Sequence, residues 1–348
     1  LDWAAPDHRH RFTSRNQLDG VTLARPTFSP FTHQRSEVRL MSPALNHGLA
    51  AILLIGLIAI APPAIALIVG AGYALVLGRE GLTFNVSATS KWCLQTAIVL
   101  LGFNIAIAEV AKTGSLYFAV GAAYIGIAAL LGVTLARLFF ISGTDRTLIT
   151  SGTAICGGTA IGSVAPLIGA RAEETACALG IVFLLNLVAL ITFPWLGEQI
   201  GLSQSQFGVW AALAIHDTSS VVGAAQTYGV EAAQTATVVK LSRTLWLIPL
   251  VLWIGLRSSN QGRVQVPYFV LFFIGASILG SAGEWPRLLH SALDQTSDAL
   301  LIAALFLIGI QIDRNALRAM SGRVIGYATS LWLILIPTAL VIAVLIEQ

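Results

Sequence analysis

Charged residues are scarce in this sequence. Asp, Glu, Lys and Arg together make up 11 % of the 348 residues, whereas soluble domains carry about 25 %. Hydrophobic residues reach 56 %, and apolar runs of about 20 residues, the length that crosses a bilayer as a helix, recur along the chain. This composition excludes an ordinary soluble domain and predicts an all-α polytopic membrane protein.

Cysteine is also rare, and the usual catalytic motifs are missing. Cys93, Cys156 and Cys177 lie in or beside apolar segments, without the spacing of a metal site or a disulfide framework. The sequence has no phosphate-binding loop, no paired catalytic carboxylates and no HExxH motif. We therefore expect no enzyme and no cofactor, and the net charge of +3, which comes from loops and one tail, gives no reason to expect nucleic acid as a partner.

The first 43 residues differ from the rest. They hold six arginines, three prolines before Met41 and no apolar run. We expect residues 1–43 to be a disordered basic cytoplasmic tail or an upstream extension of the reading frame, with Met41 as the natural start. Residues 44–348 are then the transmembrane transporter domain.

Hydrophobic segments follow in close succession from residue 44. Nine are uninterrupted and two are broken by polar residues, so we expect about 9–11 transmembrane segments. The uninterrupted segments cover residues 44–60, 63–78, 92–110, 116–141, 173–197, 232–256, 267–282, 297–312 and 324–346. The broken segments, 147–169 and 204–228, either cross the membrane as discontinuous helices or re-enter on one side.

Loop charges predict the orientation, because cytoplasmic loops hold the excess of Lys and Arg. If both broken segments re-enter, ten basic residues lie on one side and only Lys112 and Arg287 on the other. If both cross, only Arg171 changes side. Either way we expect a cytoplasmic N-terminus and a C-terminus outside.

A weak internal repeat favours the same architecture. A shift of 60 residues lays 155–176 over 215–236 with six identities in 22 positions, and residues 100–105 resemble 307–312. We expect inverted repeats of the kind found in secondary transporters, although the order of the units does not fit a simple tandem copy.

The first polar interruption, residues 150–159, combines hydroxyl groups with glycines that let the backbone open and approach a ligand. A half-helix starting near Thr159 would direct amides and a positive dipole end into the membrane interior, which favours an anion. The alternative is that these small residues only permit close helix packing. The predicted substrate-binding residues here are Ser151, Thr153, Cys156, Gly157, Gly158 and Thr159.

The second interruption, residues 215–220, places two ionisable groups at membrane depth. A central Asp costs about 2.5–3.5 kcal/mol on insertion scales, so such residues usually face a cavity and act on ions or protons. We expect His216 and Asp217 to bind a coupling H⁺ or Na⁺, with Thr218, Ser219 and Ser220 contributing to the anion site. The alternative is that Asp217 only caps the half-helix that begins at Thr218.

Lys240 and Arg243 lie three residues apart and share one face of the segment 232–256. Both are too far from its ends to reach water easily, so we expect them to face Asp217 or a bound anion. Three polar residues within other segments, Asn104, Asn186 and Gln311, are expected to form interhelical hydrogen bonds rather than ligand contacts.

These residues together resemble a known family. Ile155-Cys156-Gly157-Gly158, His216-Asp217 and the sequence Lys240-Leu241-Ser242-Arg243 are similar to the YeiH-type family of bacterial inner-membrane proteins, which carries a sulfate exporter label. The resemblance covers residues 45–348, and many members have alanine where Gly158 stands. It implies a fold similar to the cation:proton antiporter and anion transporter group, with discontinuous helices that meet in mid-membrane.

We therefore expect a secondary transporter that moves sulfate or a related small inorganic or organic anion by alternating access, without ATP. Its partners would be the anion and the lipid bilayer, and its small residues permit a homodimer without requiring one. Two alternatives stay open: a cation:proton antiporter with Asp217 as ion ligand, and a non-transporting membrane protein or intramembrane enzyme.

Overall fold

A computed structural model describes residues 43–60, 63–77, 82–257, 268–311 and 321–347. All regular elements within these ranges are helices, which confirms the all-α prediction for this part of the chain. The predicted tail, apart from Pro43, lies outside it. The helices are α1 Pro43–Ile60, α2 Pro63–Leu77, α3 Val86–Phe103, α4 Ile107–Leu138, α5 Gly143–Ala154, α6 Gly158–Val164, α7 Ala172–Gln199, α8 Gln204–Ala214, α9 Thr218–Tyr228, α10 Val230–Thr244, α11 Leu247–Arg257, α12 Tyr268–Ser281, α13 Arg287–Ile310 and α14 Gly322–Ile346.

Five helical stretches among the described residues are long and apolar enough to cross a membrane. They are α4, α7, α13, α14 and the continuous stretch Val230–Leu256 that α10 and α11 form together. Shorter apolar helices cover His47–Ala59, Ile65–Leu77 and Tyr268–Ser281. The chain is therefore a polytopic membrane protein, while the expected total of 9–11 segments stays a prediction.

Three predicted segments have wrong boundaries, and one of them, 116–141, starts too late because α4 already begins at Ile107. Segment 92–110 is not one helix, because α3 ends at Phe103 and residues 104–106 form a tight turn before α4 begins at Ile107. The backbone N–H of Asn104 donates to the carbonyl of Leu101. Glu109 lies in the first turn of α4, where a negative charge stabilises the start of a helix. The predicted start of segment 297–312 is too late, because α13 already begins at Arg287. The prediction missed the polar first half of the helix, which carries no long apolar run.

The most buried part of the molecule is formed by α8, α9 and α10. Every residue in the ranges 207–216 and 219–225 is buried, and so is all of 235–244. Helix α10 packs against α8, α9 and α4, while α14 packs against α8 and α4, and α7 against α9. The second polar interruption and residues 151–157 of the first, which are also buried, therefore lie inside protein, where non-helical backbone is tolerated at membrane depth.

A second group of helices packs around the pair α3 and α13, with α2 against α13 and α12 against α3. Asn104, which follows α3, bonds Asp294 and His290 in the first half of α13. Gln311, which follows α13, donates to Ser90 near the start of α3 at 2.9 Å. These reciprocal contacts make the two helices antiparallel, and they confirm the interhelical hydrogen bonds predicted for both amides.

Helices α2 and α13 approach each other through glycines. A Cβ atom at Gly70 would lie 2.9 Å from the carbonyl carbon of Phe306 and 3.2 Å from Cα of Gly309, and it would overlap the carbonyl oxygen of Phe306. The obstructing atoms belong to the backbone, so a rotamer change cannot relieve the overlap. Small residues at such crossings are typical of helix packing in membranes.

We expect Gly70→Ala to separate α2 from α13 and to lower the melting temperature by several degrees. Gly72→Ala, on the same helix, is the matched control, because a Cβ there meets nothing within 4 Å. Alanine is the better helix former by about 1 kcal/mol, so the control should be neutral or stabilising. Thermal unfolding in detergent, followed by tryptophan fluorescence, measures both. Equal melting temperatures for the two variants would show that the crossing tolerates a methyl group.

Candidate functional site

Two helix breaks fall at the two polar interruptions of the sequence. Residues 155–157 separate α5 from α6, and residues 215–217 separate α8 from α9. Gly157 has a φ of 58°, in the left-handed region that glycine adopts without strain. The backbone can therefore turn sharply at Gly157, where any other residue would be strained.

The two breaks touch each other. A Cβ atom added to Gly157 would lie 3.1 Å from Cβ of Asp217 and 3.3 Å from the carbonyl carbon of His216. The neighbours are backbone or first-carbon atoms, which cannot move away independently of the chain. Glycine at position 157 thus lets the first break approach the ion-coupling pair predicted from the second.

Asp217 caps α9, as the alternative interpretation of the sequence predicted. Its carboxylate accepts from the backbone amide of Ser219 at 2.8 Å, from the Ser219 hydroxyl at 2.7 Å and from the Ser220 hydroxyl at 2.9 Å. The amides at this helix start were expected to hold an anion, but the carboxylate already occupies them. Asp217 is only half-buried, so a role in ion binding stays open as a prediction.

His216 is held by a residue of α7. The side-chain oxygen of Asn186 accepts the backbone N–H of His216 at 3.1 Å and lies 3.1 Å from Nδ1 of the ring. An amide oxygen only accepts, so Nδ1 carries a hydrogen and the neutral ring presents Nε2 as an acceptor. His216 is 1 % exposed, and Nε2 has no hydrogen-bond partner among the described residues.

Asn186 also contacts Asp217, since its Nδ2 lies 3.5 Å from Oδ2 of the carboxylate. The interhelical hydrogen bond predicted for this residue is confirmed, but sequence reasoning missed that its partners are His216 and Asp217. The available signal was an amide in the middle of α7, a helix that contains an 18-residue stretch with a mean hydropathy of 2.5. We refer to Asn186, His216 and Asp217 as the coupling trio.

Lys240 is fully buried, with 0 % exposure. Its Nζ donates to the carbonyl of Ile215 at 2.7 Å and to that of Ala212 at 3.3 Å. Both acceptors lie where α8 ends, and the last carbonyls of a helix lack partners within it. Lys240 thus satisfies the buried carbonyl of Ile215, and it shares that of Ala212 with Arg243.

Arg243 also donates to backbone carbonyls, and its acceptors lie at both helix breaks. Its guanidinium is 1 % exposed and lies 5.2 Å from the centre of the Tyr124 ring, a cation–π distance. It donates to the carbonyls of Ile155 at 2.8 Å, Thr153 at 3.2 Å, Leu213 at 2.5 Å and Ala212 at 3.0 Å. One side chain therefore ties the end of α5 to the end of α8.

The direct hydrogen-bond acceptors of Lys240 and Arg243 differ from the expected ones. Among the described residues they are carbonyls at the negative ends of two helices rather than the carboxylate of Asp217, while a bound anion near these cations stays a prediction. The physical reason is that these ends carry partial negative charge and unpaired acceptors. Cations on the adjacent α10 can reach them without a carboxylate.

The other predicted residues divide into buried and accessible ones. Ser151 bonds the carbonyl of Leu148 in its own helix at 3.1 Å, whereas the buried Thr153 hydroxyl has no partner among the described residues. The hydroxyl of Ser163 in α6, a residue that sequence reasoning did not select, is also buried and has no hydrogen-bond partner among the described residues. The remaining predicted residues differ in exposure: Cys156 is buried, Gly158 and Thr218 are half-buried, and Thr159 is exposed.

Fold and site together define a polytopic membrane protein in which two helix breaks meet beside buried charges. Residues 45–328 match the family described as "Conserved hypothetical protein 698", and the chain belongs to this family. It is 39 % identical over 256 residues to a UPF0324 membrane protein of Geobacter sulfurreducens, covering 72 % of this chain and 81 % of the relative. A UPF0324 membrane protein of Porphyromonas gingivalis is 38 % identical over 292 residues, covering 82 % and 87 %. No solved structure matches the chain.

Proposed function

We propose that the protein is a secondary transporter for a small anion in the bacterial cytoplasmic membrane, coupled to H⁺ or Na⁺, and not an enzyme. The observation that carries this proposal is the contact between the two helix breaks at Gly157 and Asp217. In secondary transporters, discontinuous helices meet near the midplane and bind substrate and coupling ion with their half-helix ends. The resemblance to the YeiH-type proteins agrees with this class. The orientation that we propose, a cytoplasmic N-terminus and an external C-terminus, is the one that the loop charges predict.

The charges favour an anion. Lys240 and Arg243 against Asp217 leave one formal positive charge at the meeting point of the breaks, if His216 is neutral. The unpartnered hydroxyls of Thr153 and Ser163 can donate to an anion that enters when the breaks separate. The cations themselves hold the helix ends in place and contribute their field rather than direct contacts.

The coupling trio is the proposed site of the driving ion. Nε2 of His216 is an unused acceptor for a proton, and Asn186 links that ring to the carboxylate of Asp217. A change of charge on His216 or Asp217 alters the electric field at the helix breaks. Ion binding can in this way shift the equilibrium between the inward-open and outward-open states. The repeat between 155–176 and 215–236 would supply the two units that move against each other.

A cation:proton antiporter is the second candidate, and one observation favours it. Asp217 is half-buried, whereas both cations are sealed and already satisfied by carbonyls. In that mechanism the carboxylate would exchange H⁺ for Na⁺ or K⁺ with no anion involved. The two candidates differ in which ion must be present for flux.

Counterflow in proteoliposomes tests the proposal. We expect the purified full chain to exchange labelled sulfate or a competing organic anion at pH 6 or pH 8. Asn186→Leu should abolish this exchange, because it removes the group that orients His216. Gln311→Leu is the matched control, since it also removes an interhelical amide but outside the trio. No anion exchange, together with a pH change on adding Na⁺ or K⁺, would establish the antiporter instead, and exchange by Asn186→Leu at the control rate would remove the trio from the mechanism.

A further inference from the structure

A cavity of about 1140 Å³ lies between α3 and α12 and extends to α6. Its volume is slightly above the range of about 300–1,000 Å³ that is typical of sites for organic molecules, and it is far larger than a lone inorganic ion requires. From α6 it includes Thr159, which belongs to the first polar interruption of the sequence. The cavity therefore adjoins the region where the breaks meet without being part of it.

The α3 wall of the cavity contains polar as well as apolar side chains. Lys91 and Gln95 lie one turn apart on the same face of the helix, Thr96 follows Gln95, and all three line the cavity. None of their side chains makes a hydrogen bond within the ranges that the structure describes. Lys91 and Thr96 are exposed and Gln95 is half-buried, so the polar atoms of all three are free to contact an occupant of the cavity.

The α12 wall is apolar. It presents large side chains, among them Phe269, Phe272 and Leu279, and the cavity also includes Trp92 from α3. Lys91 is the one charged residue among the described lining. An occupant that satisfies both walls needs a negative group for α3 and an apolar body for α12.

We propose that this cavity binds an organic anion with an apolar body, an alkyl or aryl sulfonate or carboxylate, as the substrate that the transporter carries. The acidic group lies against Lys91 and Gln95, and the apolar part lies against α12. Sulfate itself leaves the α12 wall unused and binds weakly. This inference names the substrate class and so rests on the proposed function, but its first test measures binding and does not depend on transport.

The experiment is equilibrium binding of a series of n-alkanesulfonates, from methanesulfonate to octanesulfonate, to the full chain in nanodiscs of neutral lipid. Affinity should rise about fourfold per methylene, the factor that corresponds to about 0.8 kcal/mol per buried CH₂. Lys91→Gln should weaken all members about tenfold and leave the dependence on chain length unchanged. Lys112→Gln, an exposed lysine outside the cavity, should bind as the wild type does.

A second pair of variants tests the location. Gly275 lines the cavity and a Cβ there meets nothing within 4 Å, so Gly275→Leu fills the space without a clash at Cβ and should eliminate binding of the longer sulfonates. Gly126→Leu, equally open but on α4, should have no effect. Binding that is independent of chain length, or equal in Gly275→Leu and Gly126→Leu, would overturn the proposal.

The outcomes also separate this inference from the proposed function. Normal binding without counterflow would refute transport and keep the cavity, whereas counterflow unchanged in Lys91→Gln and Gly275→Leu would keep transport and refute the cavity. If phosphatidylglycerol binds with the same dependence on Lys91 while the sulfonates do not bind, the cavity holds lipid and the proposal is wrong.

Discussion

Arg243→Leu should lower the melting temperature of the protein by about 10 °C, because each buried carbonyl left without a donor costs about 1–3 kcal/mol and 1 kcal/mol corresponds to about 2–4 °C in a chain of this order of size. The substitution removes this donor from four carbonyls at the ends of α5 and α8, of which that of Ala212 keeps Lys240 as a second donor. Buried acceptors without donors are expensive, and here they belong to two helices that a single side chain connects. Thermal unfolding in detergent, monitored by tryptophan fluorescence, measures the shift.

Two further variants separate geometry from charge. Arg243→Lys keeps the charge but replaces a planar fork of donors by a single ammonium, so we expect an intermediate melting temperature. Arg137→Leu removes an exposed arginine at the end of α4 and should change it by no more than about 1–2 °C. If Arg243→Leu has the same melting temperature as the wild type, the guanidinium does not hold the helix ends together. A direct role of Arg243 in binding the substrate then becomes the better explanation.

The positions of the helix breaks could be predicted from the sequence because they have a side-chain signature. Glycines, hydroxyls and ionisable residues interrupt apolar runs at 150–159 and 215–220; α5 ends within the first stretch and α8 ends directly before the second. The shared face of Lys240 and Arg243 follows from helical periodicity alone. Both features are local, and local patterns are what a single sequence records most directly.

The acceptors of Lys240 and Arg243 could not be predicted in the same way. Every residue carries a carbonyl, and which ones lack a helical partner depends on where two distant helix ends meet in space. The role of Asn186 was missed for a related reason. An amide within an apolar helix indicates an interhelical hydrogen bond, but the sequence does not say that its partners are His216 and Asp217.

The helix ends that were predicted wrongly reflect the same limit. Hydropathy finds the apolar part of a helix, so it merged the end of α3 with the start of α4 and omitted the polar first half of α13. Polar residues there are accommodated by tertiary contacts, such as the hydrogen bond of Asn104 to Asp294. Such contacts join elements far apart in the chain, where periodicity carries no information.

Asp217→Asn should abolish transport while the protein remains folded, and this variant separates the two roles of the residue. Asparagine caps a helix about as well as aspartate, so the bonds from Ser219 and Ser220 can persist. The negative charge at the positive end of α9 is lost, and with it the group proposed to respond to the coupling ion. Counterflow in proteoliposomes should fall to the level of empty liposomes, with a melting temperature within a few degrees of the wild type.

Asp217→Ala is the matched comparison, because it removes the cap as well as the charge. Loss of an N-cap costs about 1 kcal/mol, so this variant should melt below Asp217→Asn while transporting equally poorly. If Asp217→Asn transports like the wild type and only Asp217→Ala fails, the residue acts through the cap alone and the coupling ion binds elsewhere, with Nε2 of His216 as the next group to test. If both variants fail at different melting temperatures, the charge itself is required, because stability and flux then respond to different properties of one side chain.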